Sequence, residues 1–323
     1  MASANSNLNK AKTVKNDEFY TQLIDIENEL MHYKAHFKDK IVLCNCDNPT
    51  WSAFWKYFHL NFAELGLKKL ISTYYDKTEP TYKMEYTGGD DNNIEVGTKT
   101  PLESNGDFRS QECLNLLDEC DIVVTNPPFS LFREYVAILM EHKKKFIIWG
   151  NNNVITHKEF FPLLKENKVW LGYIANKTCV FRLSDEYMKW DERITEQMND
   201  GHKYGKVPAI SVFTNLNIQK RHEKLILWKK YIPEEFPKYD NYDAINVDKV
   251  SEIPCDYDGV MGVPITFLNK YNSEQFEIIG ISASWDETKD MKIIKTSSSH
   301  RHEPVLNNKG MYRRIFICKK VGL

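Results

Sequence analysis

The stretch Asp121–Phe132, DIVVTNPPFSLF, decides the fold. Ile122, Val123 and Val124 make the short apolar run of a strand buried on both faces. It passes directly into Asn126-Pro127-Pro128-Phe129. Two prolines end backbone pairing at once, since each lacks an N–H and fixes φ near about −65°. SLFREYVAILMEH then reads as a helix and KKFIIWGN as another strand. Strand, rigid turn, helix and strand form the unit of a parallel sheet.

The same alternation extends upstream. TQLIDIENELMHYKAHF predicts a helix, with Leu23, Ile26, Leu30, Tyr33 and Phe37 at three- and four-residue spacings. KIVLCNC reads as a buried strand, and Asp47-Asn48-Pro49-Thr50 as a turn with helix N-cap chemistry. WSAFWKYFHLNFAELG is an amphipathic helix ended by Gly66, and KKLISTYYD a second strand. EPTYKMEYTGGDDNN is a polar hairpin or excursion; NGDFRS, Asn105 to Ser110, precedes the helix SQECLNLLDEC. The expectation is an α/β fold with a parallel sheet covered by helices on both faces. Ligands in such sheets bind beyond the carboxyl ends of the strands, where strand order reverses. The turns after Cys46, around Asp107 and after Thr125 are expected on that edge. After about Leu216 the alternation fades into a stretch rich in Tyr, Asp, Asn and turns. The expected division is therefore a catalytic domain over 1–215, with 1–15 a flexible arm, and a second region over 216–323.

Composition narrows the class. Of 323 residues 42% are apolar and 27% charged, enough for a sizeable core and too apolar for disorder. No apolar run approaches the roughly eighteen residues of a membrane span, and the polar N-terminus lacks the apolar region of a secretory signal. The seven cysteines form no CxxC pair, so the expectation is a reducing cytoplasm and no metal. His300-Arg301-His302-Glu303 reads as a solvated loop rather than a ligand set, and Pro254-Cys255 as a turn rather than a nucleophile. Net charge is −2, yet between Lys289 and Lys320 basic residues far outnumber Asp290 and Glu303, the footprint of a nucleic-acid face or of a solvated surface.

Asn126 to Phe129 suit one chemical problem. The exocyclic amine of adenine is a poor nucleophile because its lone pair is delocalised into the ring. An acceptor aimed at each N–H would draw the nitrogen toward tetrahedral geometry. The Asn126 amide oxygen and the Pro127 carbonyl can be those acceptors, Pro128 stiffens the turn, and Phe129 offers a stacking face. In duplex DNA the base must first be flipped out of the helix. Upstream, Asp107 can accept from an adenine amino group while Phe108 packs on the ring. The pair Phe19-Tyr20 can cover a ligand, with Thr21 capping the first helix.

In order, Asp17-Glu18-Phe19-Tyr20-Thr21, then CNCDNP, GDFRS and DIVVTNPPFSLF, resemble the amino-type DNA methyltransferases that act on adenine N6, in particular the EcoRI modification methylase family. The resemblance implies S-adenosylmethionine on a Rossmann-like sheet. It places cofactor contacts at Asp17, Phe19, Tyr20, Thr21, Cys44, Asn45, Cys46, Asp47, Asp107 and Phe108, and the catalytic motif at Asn126, Pro127, Pro128 and Phe129. The glycine-rich turn usual after the first strand is replaced by Cys44-Asn45-Cys46-Asp47-Asn48-Pro49, which leaves the roles of Asn45 and Asp47 open. Asp76 is the nearest candidate for the cofactor ribose.

The motif order resembles the γ arrangement, with a C-terminal target-recognition region in which Tyr239, Tyr242, Lys249, Lys270, Arg301, Arg313 and Arg314 would meet double-stranded DNA. It also implies a bacterial or phage-encoded cytoplasmic protein, with a restriction–modification role or as a solitary homologue, any cognate endonuclease acting on the same site without a stable complex. Two readings stand beside it: an RNA adenine or protein glutamine-N5 methyltransferase, and a non-catalytic DNA-binding protein on a methyltransferase scaffold. An intact Asn126–Phe129 weighs against the second.

Overall fold

Four short apolar segments set the centre of the architecture. In the computed structural model, which describes residues 19–46, 48–77, 81–183, 195–197, 201–282 and 303–320, eleven strands form one sheet. They are β1 (Phe19–Thr21), β2 (Ile41–Cys44), β3 (Lys69–Thr73), β4 (Tyr82–Tyr86), β5 (Thr98–Pro101), β6 (Ile122–Thr125), β7 (Lys145–Asn151), β8 (Trp170–Leu171), β9 (Lys177–Leu183), β10 (Thr195–Gln197) and β11 (Lys203–Thr214). Across the sheet the order is β1-β9-β11-β7-β6-β2-β3-β4-β5, with β8 and β10 added to β11. The strands β7, β6, β2 and β3 run parallel, as expected of their near-continuous apolar sequences. On both flanks the sheet turns antiparallel, which the alternation did not foretell. The polar excursion after β3 is the β4–β5 hairpin, extending the sheet rather than leaving it.

Chain order and sheet order diverge at β2: the chain moves to β3 on one side, then returns to β6 on the other. A reversal of this kind is where open parallel sheets bind their ligands, beyond the carboxyl ends of the strands. The helices are α1 (Leu23–Leu30), α2 (Lys34–Phe37), α3 (Ala53–Leu60), α4 (Phe62–Leu65), α5 (Gln111–Glu119), α6 (Phe132–Glu141) and α7 (Phe161–Lys165). The single helix expected over 21–37 is thus two, separated at Met31–Tyr33. Thr21 does not cap it: it lies in β1, and Gln22 is the N-cap. The next helix is capped by the Ser52 hydroxyl, which accepts from the Phe54 and Trp55 amides, and not by the Asp47–Thr50 turn. It breaks at Asn61 before Gly66, at φ +63°, closes α4.

The chain forms two compact units, Met1–Val154 with Leu171–Leu216, and Ile155–Trp170 with Asn217–Leu323. The segment Ile155–Trp170, assigned to the first region from sequence, belongs to the second. The second unit holds a four-stranded sheet of β12 (Ile245–Asn246), β13 (Met261–Pro264), β14 (Phe276–Ile281) and β17 (Arg314–Lys319), in the order β12-β13-β17-β14, and a hairpin of β15 (Val305–Leu306) and β16 (Lys309–Gly310). No helix of the described residues is long and apolar enough to cross a membrane.

One buried carboxylate ties the start of the first unit to its later half. Glu29, on α1, is fully buried. It accepts from the Tyr33 hydroxyl at 2.8 Å and from the Tyr173 and Ile174 amides at 2.9 and 2.6 Å. A charge out of water is tolerable only when hydrogen-bonded in this way. Its removal would orphan two backbone amides and a phenol, so Glu29→Ala is expected to lower stability by about 3 kcal/mol in urea denaturation.

Candidate active site

The carboxyl ends of β2, β3 and β6 bring the predicted segments together. Leu43 pairs with Val123, and Cys44 with Ser72, so the chain leaves all three strands at one level. After β6 come Asn126, only 8% exposed, and Pro127, also buried; Pro128 and Phe129 are half-buried. The Leu131 amide donates to the Pro128 carbonyl at 3.0 Å, which turns the chain into α6. Phe129 meets Phe181 of β9 edge-on, ring centroids 6.3 Å apart. Gly150 is required beside this turn, because a Cβ there would lie 2.4 Å from the ring of Phe132.

After β2, Asn45 is buried and Cys46 half-buried. The Asn45 side-chain oxygen accepts from the hydroxyl of Tyr135, on α6. Trp51, on the loop into α3, packs against Tyr20 with centroids 4.1 Å apart, which brings β1 to this edge. Thr21 is buried, and its hydroxyl has no hydrogen-bond partner among the described residues. Asp17, Asp47 and Arg301 lie outside the described residues.

Beyond β3, the Asp76 amide donates to the Asn105 carbonyl at 3.1 Å, seating the GDFRS turn at the same edge. Gly106 makes the close approach possible: it has φ +74°, and a Cβ would sit 1.9 Å from the Tyr74 carbonyl oxygen. Phe108 is buried and meets the ring of Tyr135 edge-on at 5.0 Å. Ser110 then caps α5, accepting from the Cys113 amide.

The Asp107 carboxylate is already engaged. Its Oδ1 accepts from the Arg109 amide and Nε, each at 2.9 Å, and its Oδ2 from Nη2 at 2.7 Å. The Arg109 guanidinium holds the Asp107 carboxyl below the usual range, so the group stays ionised at neutral pH. Three donors leave a carboxylate capacity for about one more. Arg109 Nη1 also reaches Glu134 of α6 at 3.0 Å. Neither Arg109 nor Tyr135 stood out in the sequence, since a helix aromatic reads as core and a turn arginine as surface.

The second unit changes the reading of the basic and aromatic residues. Tyr239 and Tyr242 are 3% and 0% exposed and pack on Phe316 within the core. The Tyr239 hydroxyl donates to Asn246 Oδ1 at 2.7 Å. Arg314 is 8% exposed; it lies 3.4 Å from Asp248 and its amide donates to Ser282. These three hold the unit together and present almost no surface to DNA, a correction to the expectation. Lys249, paired with Glu252 at 3.0 Å, and Lys270 and Arg313 are exposed. Sequence reasoning missed Tyr312, 91% exposed beside Arg313.

A large α/β sheet carrying Asn-Pro-Pro-Phe at the carboxyl end of a central parallel strand has the architecture of a methyltransferase acting on a planar amine. Residues 7–320 match the family described as "Adenine-specific methyltransferase EcoRI", and the chain belongs to that family. It is a site-specific DNA adenine methyltransferase. It is 45% identical to the Type II methyltransferase M.EcoRI of Escherichia coli, over 98% of this chain and 97% of that one. It is 40% identical to the Type II methyltransferase M.MpnI of Mycoplasma pneumoniae, over 97% of each. No solved structure matches the chain.

Gly106 permits a test of the edge geometry. Gly106→Ala meets both the Tyr74 carbonyl and an unfavourable φ, and is expected to cost at least about 2 kcal/mol, read as a lower thermal midpoint.

Proposed function

We propose that the protein transfers a methyl group from S-adenosylmethionine to N6 of an adenine flipped out of duplex DNA, on a Rossmann-like sheet whose cofactor edge is the carboxyl end of β2, β3 and β6. Bound there, the cofactor supplies an electrophilic methyl group on a sulfonium. The observation that carries the reading is the convergence of Asn126, Asn45, Asp107 and Phe108 on one edge at the point where strand order reverses. The donor set fits the cofactor. The buried Thr21 hydroxyl offers a polar partner, Phe108 an aromatic ring and Asp107 its remaining acceptor site. Asp76 is held beside Asn105, where a ribose hydroxyl would find a carboxylate.

In this reading Asn126 and Pro127 accept the two N–H groups of the target amine. The stiffness of the two prolines means the carbonyl need not reorganise as charge develops on nitrogen. Phe129, half-buried against Phe181, supplies the face on which the flipped base stacks. The second unit serves as the target-recognition region. Its exposed candidates are Lys249, Lys270, Tyr312 and Arg313, together with the hairpin tip Asn307-Asn308, both in left-handed backbone. Asparagine and arginine read adenine and guanine edges, and a protruding tyrosine can wedge between base steps. The Type II names of the relatives support a restriction–modification setting, in which an endonuclease would share the site without a stable complex.

Asn126→Ala is expected to reduce methyl transfer at least about a hundredfold while cofactor affinity holds, measured with tritiated S-adenosylmethionine and by calorimetry. Unchanged turnover would remove Asn126 from the mechanism. Arg313→Ala is expected to lower DNA affinity and to reduce the magnitude of its salt slope by about one. A salt slope equal to wild type would exclude a phosphate contact at that position.

A further inference from the structure

A turn that lies against a ligand is normally freed of side chains by glycine, which lets backbone approach closely. The turn after β2 contains none from Cys44 to Pro49. Asn45 nevertheless occupies the first position after the strand, at the sheet edge proposed for the cofactor. The residue is 4% exposed, and its side-chain oxygen accepts from Tyr135, ninety residues further along the chain. The Cys46 sulfur lies 3.8 Å from the same oxygen. Asn45 therefore sends its side chain into the protein, toward α6.

Tyr135 is 1% exposed, and burial pushes its hydroxyl well above the usual phenol range, so it remains a donor throughout the working pH range. Its ring meets the buried Phe108 edge-on, with centroids 5.0 Å apart and planes at 75°. One side chain thus grips two segments at once: the turn after β2 through its oxygen, and the GDFRS turn through its ring.

We propose that Tyr135 is a positioning residue for S-adenosylmethionine: by holding the Asn45 side chain inside and the Phe108 ring in place, it lets a glycine-free turn serve as a cofactor turn. The proposal rests on the reading that the cofactor binds at this edge. In the glycine-rich version the space is kept open by absence of a side chain. Here it is kept open by a hydrogen bond. Loss of that bond leaves the Asn45 oxygen buried beside the Cys46 thiol, and frees the side chain to seek a new partner on the ligand side.

The test uses the full-length protein and S-adenosylmethionine itself. Tyr135→Phe keeps the ring and removes the donor. The dissociation constant for S-adenosylmethionine is expected to rise about tenfold, with KM for the cofactor rising in parallel. The kcat at saturating cofactor and the affinity for DNA alone are expected to hold. A double-mutant cycle separates positioning from general stability: in an Asn45→Gly background there is no side chain to hold, so adding Tyr135→Phe is expected to leave cofactor affinity as in Asn45→Gly alone. A lowered thermal midpoint with unchanged cofactor affinity in Tyr135→Phe would overturn the proposal, as would an equal loss of affinity in both backgrounds. If the wild-type protein itself fails to bind S-adenosylmethionine, the cofactor reading falls first. If it binds and Tyr135→Phe binds equally, only the role of Tyr135 is lost.

Discussion

The parallel pairing of β2 along both of its edges is the constraint from which the rest follows. Four residues, Ile41–Cys44, carry hydrogen bonds to β3 on one side and β6 on the other. Both partners must be apolar on both faces, and their chains must leave in opposite directions across the sheet. The register then sets the chemistry. Leu43 stands opposite Val123, so Asn45 is level with Thr125 and one residue short of Asn126. A slip of one residue would send the side chains of β6 to the opposite faces and misalign the two asparagines. The placement of the candidate site is therefore a property of strand registry before it is a property of any one side chain.

The helix launched by the proline turn does more than cover the sheet. From α6, Tyr135 reaches Asn45 and Phe108, while Glu134 reaches Arg109 and, through it, Asp107. The turn after β2 and the GDFRS turn are held by neighbouring residues of one helix, which begins shortly after Phe129. The ionic part of this arrangement is partly exposed and contributes little stability, whereas the Tyr135 contacts are dry. Rigidity at the edge comes from the buried half.

What could be read from sequence was what local pattern controls. Continuous apolar runs gave β2, β3, β6 and β7, and the Pro-Pro turn marked the end of β6. Features set by distant partners were not legible. Thr21 looked like a helix cap because nothing near it shows that Phe181 pairs with it. The helix over 21–37 has unbroken spacing, yet Tyr33 turns its hydroxyl back to Glu29 and the helix parts there. Tyr239, Tyr242 and Arg314 read as parts of a binding surface, but the Tyr239 hydroxyl and the Arg314 guanidinium find partners within the unit, and the rings of Tyr239 and Tyr242 become core. Tyr312 was overlooked for the converse reason: nothing in a lone tyrosine says that it will stand out in solvent.

Order of synthesis gives the Glu29 clasp a further meaning. The first strand pairs with residues 181–183, and Glu29 receives the amides of Tyr173 and Ile174, the latter 145 positions downstream. A growing chain emerging from the ribosome has neither partner until more than half of it has been made. The strand carrying Tyr20 and Thr21 therefore pairs after the central strands have been made, and a nascent chain carries Asn126 before it carries the completed sheet. Truncation before Tyr173 leaves an open sheet flank and a buried carboxylate without its two backbone donors, so the sheet of the first unit is completed only after well over half of the chain has been made.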